Sequence, residues 1–216
     1  MLVRVPAERE APPSLAVVRR LPAARDDAAL VAGLREGADW ARAELFDRYA
    51  PEVERVIRRV LGPERHTEIA DVVHDAFVQA LTGLDRLRDA SVLGAWMRSV
   101  AAHTACKTVR SRSRRRWLRF VPPEELPEAP AHPDPDGREA CRRTYRVLDG
   151  MRAEDRVVFA LRYIDGRELA EVAALCDLSL STAKRRLARA EARFLGAARR
   201  DPVLQRCLEE GTRWQP

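Results

Sequence analysis

The sequence has no apolar run long enough to span a membrane, and residues 1–25 lack the apolar core of a signal peptide. The chain is therefore expected to stay in the cytoplasm without stable insertion in a membrane. It also lacks a Gly-rich phosphate loop, a nucleophile signature and a paired set of metal ligands, which mark common enzyme sites. These absences argue against an enzyme, and they predict neither a cofactor nor a bound metal.

Cysteine is scarce and scattered in this chain. Cys106, Cys141, Cys176 and Cys207 form no CxxC pair, and a cytoplasmic protein would keep them reduced. His103 and Cys106 are spaced to share one helical face, but a structural zinc needs four ligands and no second pair is evident. The sequence predicts free thiols and no zinc site.

Positive charge is in excess. The 216 residues include 39 Lys and Arg against 33 Asp and Glu, which gives a net charge of +6. Such a balance favours a polyanionic partner such as nucleic acid. The basic residues are dense in two segments, residues 103–119 and 169–194. Two basic helices far apart in sequence predict two contacts with one long nucleic acid.

The segment 169–194 is the most informative part of the sequence. Its apolar residues recur at three-to-four spacing on two helices separated by the turn at residues 177–179, and Ser179 suits an N-cap. This pattern predicts a DNA-reading helix-turn-helix. The apolar positions of its second helix are Leu180, Ala183, Leu187, Ala190 and Phe194. The outward positions, predicted to contact duplex DNA, are Ser181, Thr182, Lys184, Arg185, Arg186 and Arg189.

The remaining periodicity predicts an all-α fold of two small helical domains joined by a Pro-rich acidic linker. Residues 1–25 are predicted to be a disordered extension and residues 211–216 a tail. The helical domains are predicted over 26–117, where Pro51 is expected to interrupt a helix, and over 140–210. Residues 118–139 are predicted to form a flexible linker. This linker is either an inert spacer or an acidic segment that mimics the negative charge of nucleic acid inside a basic channel.

Two helices of the first domain carry stripes of exposed polar residues. One stripe, on the helix that starts near Glu68, suits a protein partner with basic groups, although an ordinary solvated face is the alternative. Its members are Asp71, His74, Asp75 and Val78. The other stripe leads into a basic run with no acidic residue, which favours contact with a polyanion. Its members are Ser99, His103, Lys107, Arg110, Arg112 and Arg114.

In combination, these segments resemble the sigma-70 family of bacterial RNA polymerase initiation factors, in the small extracytoplasmic-function (ECF) group that keeps only regions 2 and 4. Residues 71–77, DVVHDAF, resemble the region 2.2 signature, and residues 96–110 resemble the helix of regions 2.3 to 2.4. Residues 162–166, 171–173 and 179–190 resemble region 4. The resemblance covers most of the two predicted helical domains.

The resemblance implies a sigma factor that binds core RNA polymerase, directs it to promoters and promotes DNA melting. The first domain would bind the core enzyme and the −10 element, and the second would bind the −35 element as duplex. The stripe from Asp71 to Val78 is expected to meet the clamp helices of the largest polymerase subunit, and the stripe from Ser99 to Arg114 to capture unpaired −10 bases. The flap region of polymerase and an anti-sigma factor are further expected partners.

Several residues depart from the family pattern. His103 and Lys107 stand where the family usually has Asn and Asp on the promoter-melting helix. The resemblance therefore does not predict which bases are read at the −10 element. Asp177 replaces a common turn Gly, and Arg152 a common Pro; Asp tolerates left-handed and turn conformations. The alternatives to a sigma factor are a helix-turn-helix transcription regulator that does not engage polymerase and a protein-interaction adaptor.

Overall fold

The computed structural model describes residues 26–118 and 135–209, and every regular element within these ranges is helical. This confirms the predicted all-α fold class. The N-terminal half contains α1 (Asp27–Arg35), α2 (Asp39–Leu61), α3 (His66–Thr82) and α4 (Leu93–Leu118). The C-terminal half contains α5 (Pro135–Asp149), α6 (Ala153–Phe159), α7 (Leu169–Leu175), α8 (Leu180–Ala198) and α9 (Pro202–Glu209).

The boundaries differ from the sequence prediction in two places. Helix α5 begins at Pro135, so residues 135–139, predicted as linker, are helical; a proline at the first position of a helix loses no intrahelical hydrogen bond. Helix α2 continues through Pro51, which was expected to interrupt it. The predicted extension 1–25, residues 119–134 of the predicted linker and the tail 211–216 lie outside the described residues.

In the N-terminal half, α2 packs against α1, α3 and α4. Its apolar stripe includes Val53, Val56 and Ile57, which are fully buried. Helix α4 contributes Leu93 and Met97 to the same core. Two short 3₁₀ turns, Leu84–Arg86 and Ala90–Val92, connect α3 to α4. The buried stripes fix which faces of α3 and α4 point outward.

In the C-terminal half, the helix-turn-helix packs on α6 through aromatic contacts. The ring centroid of Phe159 lies 5.0 Å from those of Tyr163 and Phe194. Helix α6 is extended by a π-helical turn, Ala160–Ile164, that carries Tyr163. The phenolic oxygen of Tyr163 also donates a hydrogen bond to Glu191 of α8. Helix α8 is thus anchored at two points along its length.

The two halves share one apolar core. Val157, Val158 and Leu161 of the C-terminal half are buried in the same hydrophobic cluster as Val60 and Leu61 of α2. Helices α6 and α7 both pack on α4, and the π-helical turn packs on α2. The halves therefore contact each other directly in this structure.

The first testable prediction concerns α8. Leu187 is 8% exposed and belongs to the core, whereas Leu180, also predicted as apolar core, is 45% exposed. Leu187→Asp should lower the free energy of unfolding by about 3 kcal/mol or more, because it buries an unpaired charge. The matched change Leu180→Asp should alter it by about 0.5 kcal/mol or less. Urea denaturation followed by circular dichroism measures both, and equal losses would contradict the prediction.

Candidate nucleic-acid and protein interfaces

The turn of the helix-turn-helix has the predicted geometry. Asp177 has φ of 52°, the left-handed region in which Asp is tolerated. The Ser179 side chain accepts a hydrogen bond from the backbone N–H of Thr182 at 3.2 Å, which caps the first turn of α8. At the start of α7, Glu168 and Glu171 form a capping box. These local bonds set the angle at which α8 leaves the turn.

Three of the predicted DNA contacts are exposed near the amino end of α8. Ser181, Lys184 and Arg185 are exposed, and Leu180 is exposed beside them. In DNA-bound helix-turn-helix proteins, the second helix lies in the major groove, and its N-terminal residues contact the base edges. This end of α8 therefore combines cationic, hydroxyl and apolar groups that could read a duplex.

The other three predicted α8 contacts have neighbours within the protein. Arg189 donates from Nη2 and Nε to the buried carboxylate of Asp155, at 2.7 and 3.2 Å, and this pairing raises the pKa of the Arg189 guanidinium. Thr182 and Arg186 are half-buried. At the amino end of α8, the half-buried Thr182 thus lies among exposed side chains, whereas Arg189, further along the helix, is held by Asp155.

The α4 stripe is divided in a similar way. His103, Lys107 and Arg114 are exposed. Ser99 and Arg110 contact the C-terminal half instead. Ser99 Oγ donates a hydrogen bond to the backbone oxygen of Leu175 at 2.9 Å, and Arg110 Nε donates one to a carboxylate oxygen of Glu154 at 2.7 Å. Both bonds therefore cross the boundary between the halves.

Arg112 lies on a different side of α4 from the rest of this stripe. Its guanidinium pairs with Glu68 of α3, and only 14% of its side chain is exposed. Burial lowers the pKa of Arg112, although Glu68 partly opposes this effect. The ion pair ties α4 to α3 and turns this cation away from the exposed face of α4.

The α3 stripe faces outward over its full length. Asp71, His74 and Asp75 are exposed, and Val78 is 45% exposed. Because the buried positions of α3 include Val72, Ala76 and Ala80, the polar stripe is held on the opposite face. Acidic groups at its amino end and an aliphatic group at its carboxyl end suit a partner with basic and apolar side chains.

Sequence reasoning missed an apolar extension of this stripe. Phe46 of α2 is 49% exposed and Leu81 of α3 is 37% exposed. The Phe46 ring lies 4.9 Å from that of Phe77, which holds it against α3. The available signal was that Phe46 falls outside the apolar stripe of α2 through Ala41, Leu45 and Tyr49. We call the exposed residues Asp71, His74, Asp75, Val78, Leu81 and Phe46 the α3 surface.

The described residues contain no cluster of three or more metal-ligating side chains. All four cysteines are half-buried and free. Within 26–118 and 135–209, no helix combines the length and the apolar composition that crossing a bilayer requires.

Comparison with known families decides between the possible classes. A model described as Sigma-70 region 2 matches residues 45–115, and one described as Sigma-70, region 4 matches residues 141–194. Together they match more than half of the chain, in the order that the two halves have here. The chain belongs to the sigma-70 family, in its ECF group. Sigma factors are regulatory proteins rather than enzymes.

Curated relatives of this sigma factor span most of its length. The ECF RNA polymerase sigma-E factor of Escherichia coli K12 is 25% identical over 179 residues, which cover 76% of this chain and 90% of the relative. The probable RNA polymerase sigma-C factor of Mycobacterium bovis is 26% identical over 134 residues, which cover 62% of this chain and 71% of the relative. The chain therefore covers more than two thirds of the length of each relative.

Several solved structures are similar to this sigma factor. The structure of CnrH in complex with the cytosolic domain of CnrY has a TM-score of 0.52 at 25% identity and covers 81% of this chain and 98% of that one. The sigma factor RpoE in complex with the anti-sigma factor NepR, from Bartonella quintana, has a TM-score of 0.51 at 19% identity and covers 72% and 95%. The second likeness supports the fold alone.

Proposed function

We propose that this sigma factor binds core RNA polymerase through the α3 surface, reads the −35 element with α8 and captures unpaired −10 bases on α4. The N-terminal half would then serve as region 2 and the C-terminal half as region 4. The observation that carries the proposal is that exposed faces of two opposite kinds lie on separate helices: an acidic and apolar face on α3, and basic faces on α4 and α8.

The −35 contact would use the open end of α8. Lys184 and Arg185 supply cations, and an Arg that bonds guanine through two hydrogen bonds gives about 1–3 kcal/mol of discrimination against other bases. Leu180, which is exposed, would supply an apolar contact to a thymine methyl group. Arg189 would be a second contact, oriented by its bond to Asp155, and Thr182 and Arg186 would lie at the edge of the interface.

The −10 contact would use the exposed side chains of α4. His103 and Lys107 occupy adjacent turns, and the His103 ring nitrogen Nδ1 bonds to the Ser99 carbonyl oxygen at 2.9 Å, which orients the ring. An imidazole can stack on a base, and cations track the phosphates. Extruding a base costs a few kcal/mol, which binding on this face can offset. No bond is made or broken by the sigma factor itself.

A protein inhibitor is the further partner that we propose. Both solved neighbours are complexes, one with the cytosolic domain of CnrY and the other with the anti-sigma factor NepR. The exposed Phe46, Val78 and Leu81 offer an apolar patch that a regulatory protein could cover in competition with polymerase. The site of action of the sigma factor would be the cytoplasm, where polymerase and promoter DNA meet.

The second testable prediction is that this sigma factor directs core polymerase to promoters, and run-off transcription tests it. Purified core polymerase plus this sigma factor should give specific transcripts from a promoter library that core enzyme alone does not transcribe. Co-purification with core should be seen in the same mixture. DNA binding without either result would favour the helix-turn-helix regulator, and binding to neither core nor DNA would favour the adaptor.

A further inference from the structure

A buried carboxylate holds one of the predicted DNA-contacting arginines. Asp155 of α6 is 6% exposed. Arg189 of α8 donates from Nη2 to its Oδ1 at 2.7 Å and from Nε to its Oδ2 at 3.2 Å. The Arg189 side chain nevertheless remains 47% exposed. The ion pair therefore has a buried end on α6 and an open end at the surface of α8.

Both residues of the pair are fixed by the helices that carry them. Arg156, which follows Asp155, is buried, and so is Ala190, which follows Arg189. Helices α6 and α8 pack directly on each other. Groups carried by packed helices are held more precisely than groups on loops. The packing of α6 on α8 thus sets the position from which Asp155 reaches Arg189.

The two carboxylates at the start of α6 have different partners. Glu154 accepts a hydrogen bond from Arg110 of α4. Within the described part of the chain, the Asp155 carboxylate accepts hydrogen bonds from Arg189 alone. A buried carboxylate that loses its cation is left with an uncompensated charge, which is unfavourable. Arg189 is therefore held at Asp155 rather than free to swing into solvent.

The bonds to Asp155 use only one edge of the Arg189 guanidinium. That edge presents Nε and Nη2, whereas the end of the group presents N–H donors of Nη1 and Nη2 side by side. Because Asp155 occupies the side edge, the end keeps a planar pair of donors. Such a pair matches two neighbouring acceptors on DNA, either O6 and N7 of a guanine or two oxygens of one phosphate.

Arg189 lies on the face of α8 that carries the exposed cations. Arg185 and Arg189 are spaced by one helical turn, so their side chains are neighbours on this face. Both side chains are exposed. The end of the Arg189 guanidinium is therefore available to the same duplex as Arg185.

We propose that Asp155 is a positioning residue for −35 recognition, which holds Arg189 so that the end of its guanidinium meets a pair of acceptors on the duplex. The charges of the pair cancel, so Arg189 contributes through the direction of its hydrogen bonds more than through general attraction to DNA. A side chain that is already held also loses less conformational entropy on binding. This inference rests on the proposed function, to which it adds a buried residue that makes no DNA contact of its own.

The test uses holoenzyme assembled with the full-length sigma factor, on a promoter recovered by run-off transcription and on a random-sequence duplex. Asp155→Asn should weaken promoter binding about fivefold, because Arg189 must then be ordered by the DNA. Its binding to the random duplex should stay the same or strengthen, because a negative charge is lost. Glu209→Gln is the control, since it removes the same charge from an exposed site on α9 and should not weaken promoter binding.

A double-mutant cycle tests whether Asp155 acts through Arg189. Arg189→Ala should weaken promoter binding about tenfold or more, and Asp155→Asn should cause no further loss in that background. Arg189→Lys keeps a cation beside Asp155 but lacks the planar pair of donors, so it should weaken promoter binding almost as much as Arg189→Ala. Urea denaturation checks the folding of each variant. A merely structural role of Asp155 would lower the free energy of unfolding and weaken binding to every duplex.

Base substitutions in the −35 element identify the acceptor. If the acceptor is a guanine, the wild-type preference for that base pair should disappear in Asp155→Asn and Arg189→Lys, while preferences at other positions remain. If the acceptor is a phosphate, both variants should lose affinity equally for all the substituted promoters, and Arg189→Ala should lower the salt slope by about 1.

Two outcomes would overturn the proposal. Tighter binding of Asp155→Asn to promoter and random duplex alike would show that Asp155 only neutralises Arg189. An equal loss from Asp155→Asn with and without Arg189 would show that Asp155 acts through another contact. Co-purification with core polymerase and alanine variants of Lys184 and Arg185 test the proposed function separately. A holoenzyme that assembles and needs those two residues but not Asp155 would therefore contradict this inference alone.

Discussion

Replacing Lys184 and Arg185 together with alanine should abolish promoter-specific transcription while leaving association with core polymerase unchanged. The two side chains are exposed on the amino-terminal part of α8. If each makes one base or phosphate contact worth about 1–3 kcal/mol, the loss of promoter affinity is about 30-fold or more. Neither side chain is in the core, so the free energy of unfolding should not change by more than about 0.5 kcal/mol.

The matched control removes the same charge from the other end of the helix. Arg199 and Arg200 follow the last residue of α8 and are exposed, and their replacement with alanine should reduce affinity for any DNA only slightly. Promoter binding measured over a series of salt concentrations separates the two cases, because each lost phosphate contact lowers the salt slope by about 1. Equal effects of the two double variants would mean that α8 contributes only general charge.

The helix-turn-helix itself could be predicted from the sequence because its determinants are local. The N-cap of Ser179, the left-handed conformation of Asp177 and the extended conformation of Arg152 depend on neighbours within a few residues. Arg152 has φ of −64°, the value that proline would impose, which explains why it can replace the family's proline. Apolar periodicity likewise assigned most of the buried faces.

Periodicity failed where a helix ends or where the core overrides a local preference. Leu180 fits the apolar stripe of α8, but it occupies the first turn, beyond the buried part of that stripe, and is exposed. Pro51 lacks a backbone N–H, yet α2 continues through it because buried residues on both sides, such as Tyr49 and Val53, hold the helix on the core. Tertiary packing determined both results.

The bonds between the halves could not be predicted from the sequence. Arg156 and Leu61 are far apart in the chain, and nothing in the local pattern marks one arginine among many as buried. The same holds for Arg112 with Glu68 and for Arg189 with Asp155, which draw two predicted DNA-contacting cations into ion pairs. Such pairs depend on how the helices pack on one another rather than on spacing along the sequence.

The α3 surface provides the second large effect. Changing Asp71 and Asp75 to lysine should weaken association with core polymerase by about 100-fold, because reversed charges that face a basic partner change attraction into repulsion of several kcal/mol. Both side chains are exposed, so the fold should be retained. The control reverses two other exposed acidic residues, Glu36 and Asp85, which lie outside α3. It should bind core like the wild type.

Binding of the variant with Asp71→Lys and Asp75→Lys to DNA in the absence of polymerase should become stronger, whereas its binding to core polymerase becomes weaker. Each Asp→Lys change adds two units to a net charge of +6, and non-specific DNA binding strengthens with positive charge. The α3 variant and its control gain the same charge, so both should bind DNA more tightly, while only the α3 variant should lose core polymerase. Measuring both affinities at one salt concentration therefore distinguishes a specific protein contact from a general effect of charge. If the α3 variant keeps its affinity for core and its run-off activity, polymerase binds elsewhere on the sigma factor.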